Sequence, residues 1–373
     1  MPGSLALAHQ AAQQSVASNP TEQAASLERA GNYAEAEQAW KTVLASSPDD
    51  PQANAHLGLM YALQGNYADA VPAYRKALKL RPDMPGVNLD LGLALFKQGQ
   101  LAEAISPLKA AAAETPSDPR PALLLGMCLY GTRQYSAAIP YLRNGVEQTP
   151  TNLALRLTLA QSCLWASNYD CALNEYQAIL RQDPNSAQAD MIAGEALDAK
   201  GDKPGAIAQF RAAEKAAPNT PDVHFGLGYL LYTQGQFPEA ENEFRAELAL
   251  EPNHALALTW LGDIALKNNN WTEARQDIER ALTQPGANRQ ATLDLGIIDA
   301  QERHYTAAES EFRRAIKLDP SNPDAHWRLA RVLQAEGKKD EANAELATVR
   351  QLHETKDERL VQQMNHPPAS TEP

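Results

Sequence analysis

The stretch ANAHLGLMYALQGNYADAVPAYRKALKLRP, Ala53 to Pro82, decides the fold. Large apolar side chains recur at spacings of three and four from Ala53 to Leu63 and again from Tyr67 to Leu80, which places them on one stripe of each of two helices. Gly65 stands between the two, where a left-handed residue ends a helix at little cost. Pro82 follows the second helix, which its missing N–H and the restriction on the residue before it prevent from continuing. A turn this short makes the helices antiparallel neighbours. Small residues at Gly58 and Ala70 let them approach closely, and Tyr74 fills the space beside them.

Working outward, the same slots return every 34 residues. Alanine recurs at Ala36, Ala70, Ala104, Ala138, Ala172, Ala206, Ala240, Ala274, Ala308 and Ala342. Twelve residues earlier stands a small residue preceded by Leu, as in Leu57-Gly58, Leu91-Gly92, Leu125-Gly126, Leu227-Gly228, Leu261-Gly262 and Leu295-Gly296. Four residues after the alanine comes a bulky apolar group, among them Trp40, Tyr74, Leu108, Phe210, Phe244 and Phe312, and twelve after it a proline, from Pro48 to Pro320. Neither an insertion nor a deletion breaks the phase. This pattern of Leu-Gly, Tyr, Ala, Phe and Pro strongly resembles the tetratricopeptide repeat, over about ten units spanning residues 17–356. The resemblance implies an all-α fold, a right-handed α-solenoid superhelix of antiparallel helix pairs whose core is buried between neighbouring repeats. Length alone would suggest two or three globular domains; the unbroken period argues for one elongated array.

The ends depart from the pattern. In the first repeat Pro20 interrupts the first helix, which is expected to be short. At the other end the closing proline is missing, and Ala342, Leu346, Val349 and Leu352 continue towards Leu360, Val361 and Met364, the pattern of a long capping helix that His366-Pro367-Pro368 ends. Residues 367–373 read as a disordered tail, and residues 1–16 as an N-terminal arm or the remnant of an export signal around Leu5-Ala6-Leu7-Ala8. The compartment follows from that choice: cytoplasmic, or exported and periplasmic if a signal lies upstream of Met1. No run of apolar residues is long enough to span a bilayer.

Net charge is −13, spread as −2 over residues 1–152 and −11 over residues 153–373. An acidic surface argues against nucleic acid or anionic lipid as the main partner, since phosphate needs clustered Lys and Arg. Nucleophile-elbow, phosphate-loop, dinucleotide and His-Glu-x-x-His patterns are absent, and the eight histidines fall singly at different repeat positions without an evident partner. Neither an enzyme, a cofactor nor a metal site is expected. Cys128, Cys163 and Cys171 lack metal-like spacing and are expected to be three core thiols, although Cys163 and Cys171 could meet within one helical hairpin under oxidising conditions.

The resemblance also implies that the first helix of each repeat lines the concave face and supplies most ligand contacts. By register, repeats three to five then contribute Leu89, Leu93, Phe96, Leu123, Leu124, Met127, Tyr130, Leu157, Gln161, Leu164 and Trp165. Repeat seven adds Phe225, Tyr229 and Tyr232, while repeats six, eight and nine place Glu195, Asp198, Asp263, Lys267 and Asp294 there. Such a groove suits a protein or peptide segment with apolar anchors and some basic residues. Two family specialisations find no support: the carboxylate-clamp Asn slot holds Leu59, Leu93, Met127, Gln161 and Glu195, and an asparagine-ladder slot reads His56, Asp90, Leu124 and Thr158. The expectation is a non-enzymatic scaffold or adaptor that grips a partner segment. The alternative is a structural or assembly factor acting by homo-oligomerisation or in an envelope or secretion complex through the apolar face or the long last helix; against both stands the reading that the apolar positions pack between repeats.

Overall fold

A computed structural model describes residues 19–286 and 289–365, and among these the regular structure is helical throughout. The arm at residues 1–16, the tail at 367–373 and His366 lie outside the described residues. The chain divides into two compact units, Met1–Pro184 and Asn185–Pro373.

The first unit holds five helix pairs: α1 (Pro20–Arg29) with α2 (Tyr33–Ser46), α3 (Pro51–Leu63) with α4 (Tyr67–Leu80), α5 (Val87–Lys97) with α6 (Leu101–Glu114), α7 (Pro119–Gly131) with α8 (Tyr135–Gln148), and α9 (Leu153–Trp165) with α10 (Tyr169–Leu180). The second holds α11 (Ala187–Ala199) with α12 (Lys203–Ala216), α13 (Val223–Thr233) with α14 (Phe237–Leu250), α15 (Ala255–Lys267) with α16 (Trp271–Leu282), α17 (Arg289–Gln301) with α18 (Tyr305–Leu318), and α19 (Pro323–Ala335) with α20 (Lys339–Asn365). Within each unit a second helix packs on the first helix of the next pair. First helices also lie against one another, α3 on α5 and α5 on α7 in one unit, α13 on α15, α15 on α17 and α17 on α19 in the other. They therefore form one row of the unit and the second helices the other.

Close approach inside a pair comes from the small slot. A Cβ added to Gly92 would stand 2.5 Å from Leu108 Cγ, and one on Gly58 2.7 Å from the Tyr74 ring. In the second unit Gly228 faces Phe244 at 2.8 Å and Gly296 faces Phe312 at 2.7 Å in the same sense. The large partners Tyr74, Leu108, Phe244 and Phe312 are all fully buried, each excluding apolar surface that stabilises by about 1.5–3 kcal/mol.

Helix ends follow local chemistry. Asp50 caps α3, its carboxylate accepting the Gln52 and Ala53 N–H groups at 2.8 and 3.2 Å, with Pro51 in the first turn where no N–H is missed. Pro20 does the same for α1: it opens that ten-residue helix behind an Asn19 cap and does not interrupt it. The turn slot holds a left-handed residue in every pair, as Gly31, Gly65, Gly99, Gly201, Gly235 and Gly337, and where glycine is absent Arg133, Ser167, Asn269 and Arg303 adopt positive φ in its place. Helix α20 runs 27 residues, as the apolar continuation beyond Leu346 requires.

The cysteine expectation is corrected. Cys163 and Cys171 form a disulfide, their Cα atoms 5.6 Å apart, within the usual bridging range. Cys163 sits on the buried side of α9 and Cys171 in the first turn of α10, so the tight turn between them brings the sulfurs together. Only Cys128 is a free thiol; burial pushes it up to about 11. Alkylation of denatured, unreduced protein should therefore modify one cysteine and of reduced protein three; three modified without reductant would contradict the bridge. Gly92→Ala should lower the stability of the first unit by about 1–3 kcal/mol in denaturant unfolding, because the Leu108 side chain has to move.

Candidate interaction faces

Where a first helix ends against the next pair, three elements meet in a notch: the end of one first helix, the opening residue of its partner helix, and the next first helix. In the unit Met1–Pro184 the notch of α7, α8 and α9 holds an aromatic cluster. Tyr130 and Trp165 stack with centroids 5.9 Å apart, and Tyr135, which opens α8, lies 4.8 Å from Trp165 and 6.0 Å from Tyr130. The Tyr130 hydroxyl donates to Gln161 Oε1 at 2.6 Å, which fixes the ring. Trp165 remains 46% exposed and Leu93, one repeat-pair away on α5, 38%. Leu89, Phe96, Leu123, Leu124, Met127 and Leu157 are half-buried on the same row of first helices. Leu123 leans towards Gly145 of α8, where a Cβ would meet it at 2.9 Å, and Leu164, expected on the face, is instead buried in the core.

In the unit Asn185–Pro373 the corresponding notch of α13, α14 and α15 is aromatic and charged. Trp260 lies 4.7 Å from Tyr232 and 5.4 Å from Tyr229, while Phe225 stacks near Tyr229 at 6.3 Å and Phe237 meets the Tyr232 edge at 5.3 Å. The Tyr232 hydroxyl donates to Asp263, and Lys267 Nζ donates to the same carboxylate at 2.6 Å while sitting 5.4 Å over the Tyr232 ring. Burial and the neighbouring Asp263 push the Tyr232 phenol up to about 12.

Asp294 on α17 is the most perturbed carboxyl of this row. It is 1% exposed; Gln290 Nε2 donates to its Oδ1 at 2.8 Å, and its Oδ2 has no hydrogen-bond partner among the described residues. Burial first, then the negative charge of Asp263, push it up to about 8, so the carboxyl is held neutral at pH 7. Asp198, further along the same row, pairs with Lys203.

Register reading named some members of each aromatic cluster and missed others. Tyr135 and Phe237 come from second helices, and the signal for them was the aromatic that opens those helices at Tyr33, Tyr67, Tyr135, Tyr169, Phe237, Trp271 and Tyr305. Three of the histidines, expected to lack partners, have them: His224 Nδ1 lies 2.7 Å from Glu243, His254 Nε2 3.0 Å from Asp222, and His326 Nδ1 2.6 Å from Glu345. The 19-residue separation of His224–Glu243 and His326–Glu345 is a register signal that single-residue inspection overlooked. Among the described residues, three groups, Glu214/His224/Glu243, Asp222/Glu247/His254 and Asp299/Glu302/His304, bring metal-ligating atoms together. In the second, His254 Nδ1 already accepts the Ala257 N–H, and Glu247 accepts the Asp222 and Phe225 N–H groups at 3.1 and 3.0 Å, which is the work of loop anchors.

Comparison with known proteins agrees with this architecture. A tetratricopeptide-repeat family model matches residues 21–85, 157–221 and 225–289, a second one residues 61–128 and 300–362. A model described as subunit 3 of the anaphase-promoting complex, or cyclosome, matches residues 108–179. No curated protein matches the chain. Among solved structures, the APC/C hetero-tetramer Cut9–Hcn1 is similar at 13% identity and a TM-score of 0.52, covering 90% of this chain and 87% of that one. YrrB, a TPR protein with an unusual peptide-binding site, is similar at 21% identity and a TM-score of 0.42 over 49% of this chain and 94% of its own. The human IFIT1 dimer with m7Gppp-AAAA gives 15% and 0.45, with 88% of each chain covered.

Linkage at Asp294 gives a test. Its folded value lies above its unfolded one, so between pH 3.8 and about 8 the native state keeps a proton that the unfolded chain has already lost, and stability falls with rising pH across that window. The slope approaches about 1.4 kcal/mol per pH unit. Asp294→Asn should flatten this dependence and raise the pH 8 unfolding midpoint; an unchanged pH profile would refute the assignment.

Proposed function

Because the chain belongs to the tetratricopeptide-repeat family, we propose that it is a non-catalytic interaction scaffold that binds segments of a partner protein on the first-helix faces of its units. The observation that carries this is the Tyr130–Tyr135–Trp165 cluster: a large aromatic surface braced from below by stacking and by the Gln161 hydrogen bond, yet left nearly half open to solvent at Trp165. An exposed aromatic held in one orientation gives contact area with little ordering cost, the property that binding hot spots share. Leu93, Phe96, Met127 and Leu157 extend the apolar surface, which suits a segment with large apolar side chains. The second unit offers Phe225, Tyr229 and Tyr232 beside Trp260, an aromatic surface suited to apolar anchors.

The Cys163–Cys171 bridge supports placement in an oxidising compartment, since such bonds persist poorly where thiols are kept reduced. It lies in the same helix pair as Trp165.

A photo-crosslinking residue at position 127 should trap a partner chain from native extract, and Leu93→Asp together with Trp165→Asp should abolish the adduct while circular dichroism stays unchanged. Capture that survives both substitutions would refute the face. Adducts only to this chain itself, with a dimer in light scattering that Trp165→Asp dissolves, would replace partner binding with self-association.

A further inference from the structure

The notch recurs by register, and its filling differs. The Tyr130, Tyr135, Gln161 and Trp165 positions become Tyr232, Phe237, Asp263 and Lys267 three repeats on, where the ring hydroxyl again meets the polar group at the third position. Five repeats on from the first set the same positions read Ala300, Tyr305, Arg331 and Ala335. The opening aromatic is kept, but the two large groups that occupy the space are alanines. The result is a cavity of about 270 Å³ between α17, α18 and α19, walled by Ile297, Tyr305, Phe312, Trp327 and Val332. That falls just under the range of about 300–1,000 Å³ usual for whole small-molecule sites, and suits a single large side chain.

Charge narrows the occupant. Trp327 is 40% exposed, with the Arg331 guanidinium 5.0 Å and that of Arg328 6.0 Å from its ring. Arg328 donates its Nε to Asp324 at 2.7 Å on its own helix, whereas Arg331 is exposed and has no carboxylate partner among the described residues. None of the residues lining the cavity is acidic. Arg331 stands in the slot where Gln161 and Asp263 accept a hydrogen bond, so acceptor has been exchanged for donor. In a unit that is otherwise acidic, this is a local cationic mouth over an apolar hole.

We propose that this notch binds an acidic segment of a partner protein, one aromatic side chain entering the space left by Ala300 and Ala335 and a neighbouring carboxylate pairing with Arg331. The segment supplies the ring that Tyr130 and Tyr232 supply to the other notches, and a planar guanidinium above an indole is well placed to take a carboxylate in two hydrogen bonds. This extends the scaffold reading to a second site with a cationic rim, and it does not depend on the Trp165 surface.

Fluorescence anisotropy with the labelled, amidated peptides SDEFES, SDEAES and SKKFKS tests it. SDEFES should bind, with SDEAES at least tenfold weaker and SKKFKS weaker still; Arg331→Glu and Trp327→Ala should each weaken SDEFES at least tenfold with circular dichroism unchanged, and Trp165→Asp should have no effect. Failure of SDEFES to bind, equal binding of all three peptides, or binding indifferent to Arg331→Glu would overturn the proposal. Displacement of SDEFES by an oligouridylate from the wild-type protein but not from Arg331→Glu would overturn it in favour of nucleic acid. Failure of the Trp165 surface to capture a partner leaves each of these readings intact.

Discussion

Everything else in the two units hangs on one contact, that of a small residue on a first helix against a large side chain sixteen residues later on its partner. Gly58 meets Tyr74, Gly92 meets Leu108, Gly228 meets Phe244 and Gly296 meets Phe312, each too close to admit a methyl group without movement. The contact brings the helix backbones together and fixes their rotation about one another, because only the glycine face can approach. With rotation fixed, every other position on a first helix has a determined direction: Leu57 and Met60 inward, Leu93 and Trp165 outward.

From that constraint the turn slot follows. Two helices held so closely need a turn of a few residues, and one of them must be left-handed. Glycine meets the need six times; Arg133, Ser167, Asn269 and Arg303 meet it with strain that pair packing must sustain. That these substitutes hold the same conformation shows the packing dictating the turn. The notches that carry the candidate sites are a further consequence. Each is the gap where three helices of fixed orientation meet, and the identity of four side chains decides whether it is filled, charged or open.

Much of this was legible in the sequence because the repeat is read by spacing. Helix bounds such as Tyr67–Leu80, the left-handed glycines, the closing prolines and the long last helix all follow from pattern. The candidate faces were legible in part. Register placed Tyr130, Gln161, Trp165, Phe225 and Tyr232 on one row, yet Tyr135 and Phe237 reach the same clusters from second helices, and contact across three elements is not a property of one register position. Leu164 was assigned outward by spacing and is buried, because burial depends on what packs beside α9 and not on spacing along it. Polar and covalent contacts between helices were the least legible. His326 with Glu345, the Cys163–Cys171 bridge and the unpartnered oxygen of Asp294 depend on distances between helices and on burial, which single-helix spacing does not carry.

The central claim is that register sets the direction of each side chain, and it is tested most directly by hydroxyl-radical footprinting of the native protein at residue resolution. Trp165, Tyr229 and Trp327 should oxidise rapidly, while Trp40, Tyr74, Phe244 and Phe312 stay protected until the chain unfolds. Oxidation of the second group at rates comparable to the first in the folded protein would contradict the account.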